Sequence, residues 1–195
     1  MNTQDSLLDT DELLHLAINA SESNNVDNAI KYLKEAVQLS PDNGKVHFLL
    51  GAMHAEIGLY DRAIADMASA IKYEPSLYTA VFQLGLLYMT QGNLSDAEKT
   101  WEGLDELGDT NYLYLFKTGL LMLSNNDFEN AIEYLDKGIS VNKENMPLNK
   151  DMLRVLTQTK ENLDNSDDNE DGGNDKNGTN NPFYLNKYQN DDFDS

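Results

Sequence analysis

Apolar residues between positions 10 and 145 recur at the three-and-four spacing that places side chains on one face of a helix. They come in short runs that stop and restart. Val46–Glu56 is one such run and ends near the Gly-containing turn Ile57-Gly58-Leu59-Tyr60-Asp61. Asp61–Tyr73 is the next, with Ala63, Ile64, Met67, Ala70 and Ile71 on a single stripe. Pro41 and Pro75 follow such runs, and proline cannot continue a helix interior. The pattern predicts an all-α chain of paired helices joined by tight turns.

The pairs repeat. Ala29, Ala63, Ala97 and Ala131 are spaced 34 apart, as are Ala17, Gly51, Gly85 and Gly119. Leu16, Leu50 and Leu84 form a third series, broken by Thr118, and Leu33, Met67, Trp101 and Leu135 form a fourth. A fixed period of this size marks stacked supersecondary units. Two helices joined by a short turn approach closely only where one side lacks bulk, so Gly51 and Ala63 are expected to touch in the second unit.

The residues Leu50-Gly51, Gly58, Ala63, Ala70 and Pro75 resemble the tetratricopeptide repeat, as do Leu84-Gly85, Tyr88, Gly92 and Ala97. The resemblance spans about residues 10–143, in units 10–43, 44–77, 78–111 and 112–145. It implies a right-handed superhelical array of four helix–turn–helix units. Leu104 and Asp109 stand where the family has a small residue and proline, and Thr118, Gly138 and Lys143 also depart from the consensus. The stacking after the third unit is left open by these departures.

Residues 1–9 read as a flexible N-terminus. Pro147–Leu163 places Leu148, Met152, Val155, Leu156 and Leu163 on one face and Lys150, Arg154, Gln158 and Glu161 on the other. A stacked array leaves an apolar end that such a helix covers, so 147–163 is read as a cap. Residues 164–195 read as a disordered acidic tail. Its first part, 164–181, is almost wholly Asn, Asp, Gly, Ser and Glu and cannot bury enough surface to offset its ordering entropy. The aromatics at its end, Phe183, Tyr184, Leu185, Tyr188 and Phe193, form either a docking motif or an incidental feature of a tail.

The family resemblance also implies a concave wall built from the first helix of each unit. Its fifth places are Leu14, Phe48, Phe82 and Phe116, and its ninth places are Ile18, Ala52, Leu86 and Leu120. The twelfth places include Met89 and Leu123, and the thirteenth include Glu22 and Glu56. Carried over residue by residue, these describe an apolar trough with phenylalanine rungs and two acids towards one end. It suits an apolar or amphipathic segment of another protein, with Lys or Arg near Glu22 and Glu56. The contrary reading makes the phenylalanines ordinary core. Leu14 and Ile18 cannot donate a hydrogen bond, which excludes the family mode that grips a C-terminal carboxylate.

Charge and chemistry narrow the role further. The net charge is −20 on 195 residues, which opposes nucleic acid and anionic lipid as partners. There are no cysteines, and no stretch is apolar and long enough to cross a bilayer. No signal peptide is visible at the start, so a cytoplasmic setting is expected. The histidines are His15, His47 and His54; His47 and His54 are seven apart on one helix without a nearby matched carboxylate, and both read as packing or surface residues. No nucleophile motif, phosphate loop or acid pair is present. The expectation is therefore a non-enzymatic adaptor or chaperone-like module, with no cofactor, metal or catalytic residue. The alternative is a self-associating structural protein whose trough is covered by its own tail or a second copy.

Overall fold

The structure is a computed structural model that describes residues 8–167, with side chains to residue 163. Nine α-helices lie in this range. The first helices of the repeats are α1 (Thr10–Glu22), α3 (Gly44–Glu56), α5 (Tyr78–Thr90) and α7 (Tyr112–Ser124). The second helices are α2 (Val26–Leu39), α4 (Tyr60–Tyr73), α6 (Leu94–Trp101) and α8 (Phe128–Val141), and α9 is Met146–Asp167. Each series starts at intervals of one repeat.

The ends of these helices are written in the sequence at the same interval. The turn between paired helices needs one residue in the left-handed region, supplied by Gly58 and Gly92 (φ 73° and 74°) and by Asn24 and Asn126 (φ 55° and 60°). Glycine carries no Cβ penalty there, and asparagine tolerates the conformation best among the rest. Asn25 and Asn93 then cap α2 and α6 through their side chains, and Asp9, Asn43 and Asn111 cap α1, α3 and α7. Asp9 also forms a reciprocal capping box with Glu12, both bonds 2.9 Å.

By contacts the chain divides into two compact units, with the boundary after Tyr88 inside α5. In the first, α1 packs on α2, α2 on α3 and α3 on α4. Leu13, Ala17, Ile30, Leu33, Ala36, Val46 and Leu50 make one buried cluster. Ala63, Met67, Ala70, Ala80, Leu84 and Leu87 make another. Gly51 meets α4 as expected: a Cβ there would lie 3.2 Å from the Ala63 carbonyl oxygen and 3.1 Å from Met67.

In the second unit α7 packs on α8 and α8 on α9. The third repeat departs from the pattern where its sequence does. α6 stops at Trp101, and Glu102–Leu107 continues as a 3-10 helix. Leu104, at the place of a small residue, is fully buried. A residue of that size cannot sit in a close helix contact, and the tighter winding carries it into the core instead. The Lys117 ammonium fixes the break. It donates to the Trp101 carbonyl oxygen at 3.0 Å and pairs with Asp105. Lys117 is nearly sealed, and these two acceptors offset the desolvation of its ammonium group.

The fourth repeat lacks its closing proline. Asn142 does that work. Its side chain accepts from the Glu144 and Asn145 amides at 3.1 and 2.9 Å, and donates to the Asn145 carbonyl and to Asn149 Oδ1 at 2.9 and 2.8 Å. Asn149 returns a bond to the Asn142 carbonyl at 3.0 Å. The turn between α8 and α9 is thus held by side chains in place of a ring. Leu148, Met152, Leu156 and Thr159 of α9 are buried, whereas Val155 and Leu163, expected on the same face, are half-buried. α9 also runs past the expected end at 163, to Asp167.

Candidate functional site

The residues expected to line one wall do not share one environment. On α1, Leu14 is half-buried against the first cluster, Ile18 is 42% exposed and Glu22 is exposed. On α3, Phe48 and Ala52 are half-buried against the second cluster and Glu56 is exposed. Of the α5 residues Leu86 is half-buried, whereas Phe82 has no exposed surface and Met89 retains 3%. On α7, Phe116, Leu120 and Leu123 are all buried.

The expectation of three equivalent phenylalanine rungs is therefore corrected. Phe48 is reachable; Phe82 and Phe116 are core. For Phe116 the cause is on α8. A Cβ added to Gly138 would lie 2.5 Å from the Phe116 ring, so the ring occupies the volume that glycine leaves empty. Ala36 and Ala70 hold the equivalent place in the first two repeats and carry the methyl group that Gly138 lacks. Tyr112 packs edge-on to the same ring at 6.0 Å. Leu120, Leu123 and Met89 leave the candidate surface for the same reason as the two phenylalanines: they have almost no accessible area. What remains on the first unit is Leu14, Ile18, Phe48, Ala52 and Leu86, with Glu22 and Glu56 near the C-terminal ends of their helices. The tail residues Phe183, Tyr184, Leu185, Tyr188 and Phe193 lie outside the described residues.

His47 and His54 are both held by structural contacts. The His47 ring bonds the Pro41 carbonyl oxygen through Nε2 at 2.9 Å and stacks on Tyr73 with centroids 5.5 Å apart. His54 Nδ1 lies 2.6 Å from an Asp66 carboxylate oxygen. That partner was not legible beforehand, because Asp66 is on the opposite helix of the pair. His47 Nδ1 and His54 Nε2 are buried without a partner. Among the described residues no group of three His, Asp or Glu side chains is arranged to hold a metal ion. No helix among them is long and apolar enough to cross a membrane.

Two further features escaped the sequence reading. Lys117 is the single charge in the apolar run Tyr112–Ser124, and that isolation was the available signal for a buried, paired role. Leu153, 52% exposed between Lys150 and Arg154, interrupts the polar outer face of α9.

Comparison with known proteins agrees with this geometry. The sequence profile described as Tetratricopeptide repeat matches residues 14–77, 56–104 and 82–147. Over 72 residues the chain is 31% identical to "BBSome complex member BBS4" of Bos taurus, covering 37% of this chain and 14% of that protein. Over 115 residues it is 24% identical to "Small glutamine-rich tetratricopeptide repeat-containing protein 2" of Saccharomyces cerevisiae, covering 59% and 31%. The chain thus spans well under half the length of these relatives. Among solved structures it is similar to "APC/C hetero-tetramer Cut9-Hcn1", with a TM-score of 0.71 at 19% identity over 82% of this chain and 31% of that one. It is also similar to MamA, with a TM-score of 0.58 at 22% identity over 68% and 77%. With a family profile covering most of its length and the fold to match, the chain belongs to the tetratricopeptide repeat family.

Proposed function

We propose that this protein is an interaction module whose contact face is the accessible side of α1 and α3. The family relationship supports a role in protein–protein interaction. The finer reading rests on one observation: Ile18 stands 42% exposed one turn beyond half-buried Leu14 on α1, and Phe48 and Ala52 are half-buried at the matching places of α3. An apolar surface of this kind gains by being covered. Burying a side chain of the Ile or Phe class contributes roughly 1.5–3 kcal/mol, and less where it is already half-buried. A few such contacts give a complex in the micromolar range after association costs. Glu22 and Glu56 attract Lys or Arg at one end of the segment, so the ligand is an amphipathic or apolar stretch with basic residues towards one terminus.

The named relatives support a place in an assembly, since two of the matches are described as parts of complexes. The reading includes a cytoplasmic setting, which imaging of the tagged protein checks. Affinity purification of the full chain with mass spectrometry tests the contact face. Ile18→Asp changes an exposed side chain, so it preserves folding and removes the specific partners. Partner sets that are identical for wild type and Ile18→Asp rule the face out.

A further inference from the structure

We propose that the outward face of α9 is the docking site for the chain's own C-terminal segment, Asp191-Asp192-Phe193-Asp194. The inference is independent of the contact face on α1 and α3. α9 packs on α8 through Leu148, Met152, Leu156 and Thr159. On the opposite side Lys150, Leu153, Arg154, Thr157, Gln158 and Glu161 make one stripe, the spacing of a single helix face. Leu153 is 52% exposed at the centre of that stripe.

The stripe differs in charge from the chain around it. The net charge is −20 overall, yet Lys150 and Arg154 flank Leu153 on this face, and its acid, Glu161, lies two turns further on. Asp151 approaches Arg154 at 3.6 Å, with both side chains close to half exposed. An exposed pair at that distance holds its arginine weakly, so the guanidinium is available to a second carboxylate. A ligand for this face carries one apolar side chain among acids. The last five residues, Asp191 to Ser195, hold three aspartates around Phe193 and no basic residue. Phe193 fits against Leu153 while the aspartates meet Lys150 and Arg154.

Chain length permits the contact. Leu153 lies 14 residues before Asp167, or about 21 Å along the helix axis at ~1.5 Å per residue. Asp191 lies 24 residues beyond Asp167, a length of chain that exceeds this distance several-fold at about 3.3 Å per residue when extended. The tether therefore spans the gap, and a tethered ligand that can reach its site is held at a high effective concentration. An interaction too weak to join separate molecules is then sufficient within one. Docking covers Leu153, and any outside acidic ligand for α9 must displace it.

Because the chain has no cysteine, Ser195→Cys accepts a single nitroxide label in the full-length protein. Paramagnetic broadening is then read on the backbone amides of the folded residues. The proposal expects broadening centred on residues 150–158 that fades at high salt. It also expects loss of that broadening in Lys150→Glu/Arg154→Glu and its return when Asp191→Lys/Asp192→Lys is added. Broadening centred on α1 and α3 assigns the tail to the other apolar face and overturns the proposal. So does broadening that is absent, that is found equally in a mixture of labelled and unlabelled chains, or that survives charge reversal on α9.

Discussion

Substituting Gly138 by alanine sets two physical effects against each other. In a helix interior alanine is favoured over glycine by about 1 kcal/mol, because glycine loses more backbone entropy on folding. On propensity alone Gly138→Ala stabilises. The structure gives the opposite sign. The added Cβ would lie 2.5 Å from two atoms of the Phe116 ring and 3.3 Å from Leu115 Cβ. Both Phe116 and Leu115 are fully buried, so the ring cannot yield into solvent. Overpacking of this kind costs typically 1–3 kcal/mol, and a contact this short belongs at the upper end. The expected net loss is about 2 kcal/mol. Urea denaturation followed by Trp101 fluorescence reports on the unit concerned, because Trp101 is the chain's one tryptophan and is buried there. Phe116→Leu alone costs about 1 kcal/mol as a reduction of core volume. Combined with it, Gly138→Ala becomes neutral or stabilising, giving a coupling of roughly 2 kcal/mol in a double-mutant cycle. Additive effects, or a stabilised single variant, would refute the placement of Phe116 against Gly138 and with it the argument that removes Phe116 from the contact face.

Three other outcomes follow from the same packing. Asn142→Ala strips the turn between α8 and α9 of four bonds and is expected to cost about 2–3 kcal/mol, seen as faster amide exchange along α9 before the rest of its unit. Asp66→Ala leaves the buried His54 Nδ1 unpaired and is expected to cost roughly 1–3 kcal/mol by thermal melting followed at 222 nm; no change in melting would remove the pair as a determinant of the fold. Burial, and after it the Glu144 carboxylate, raises the pKa of Tyr112 above its ordinary value of 10.0. The folded state therefore holds the phenolic proton more tightly than the unfolded state, and this contribution is complete below pH 10 and is lost as pH rises through the folded pKa. Tyr112→Phe is expected to flatten the alkaline arm of stability against pH.

The fold was legible because the repeat imposes identical demands at identical intervals. Gly51 against the Ala63 carbonyl, the turn glycines Gly58 and Gly92, and the end of α4 before Pro75 each follow from a local requirement that one or two residue types satisfy, whereas Asn24 and Asn126, which fill the same turn place in the other two repeats, were not read from the sequence. The candidate site was less legible because equivalence of position does not fix equivalence of surroundings. Phe48 and Phe116 occupy the same place in their repeats. Their exposure differs, and for Phe116 the space comes from a residue on the following helix, Gly138. The sequence marked Gly138 as a departure but not its consequence. The break after Trp101 was foreshadowed by Leu104. The Lys117 ammonium that fixes it was not, since its partners lie 12 and 16 residues away on another element. The His54–Asp66 contact was hidden in the same way.

The contact face is tested most directly by site-specific photo-crosslinking in cells. A benzophenone amino acid at position 18, on α1, is compared with the same group at the exposed position 68 on α4. Covalent adducts with a defined protein are expected from position 18 and none from position 68. Equal adducts from both positions, or none from position 18, would contradict it.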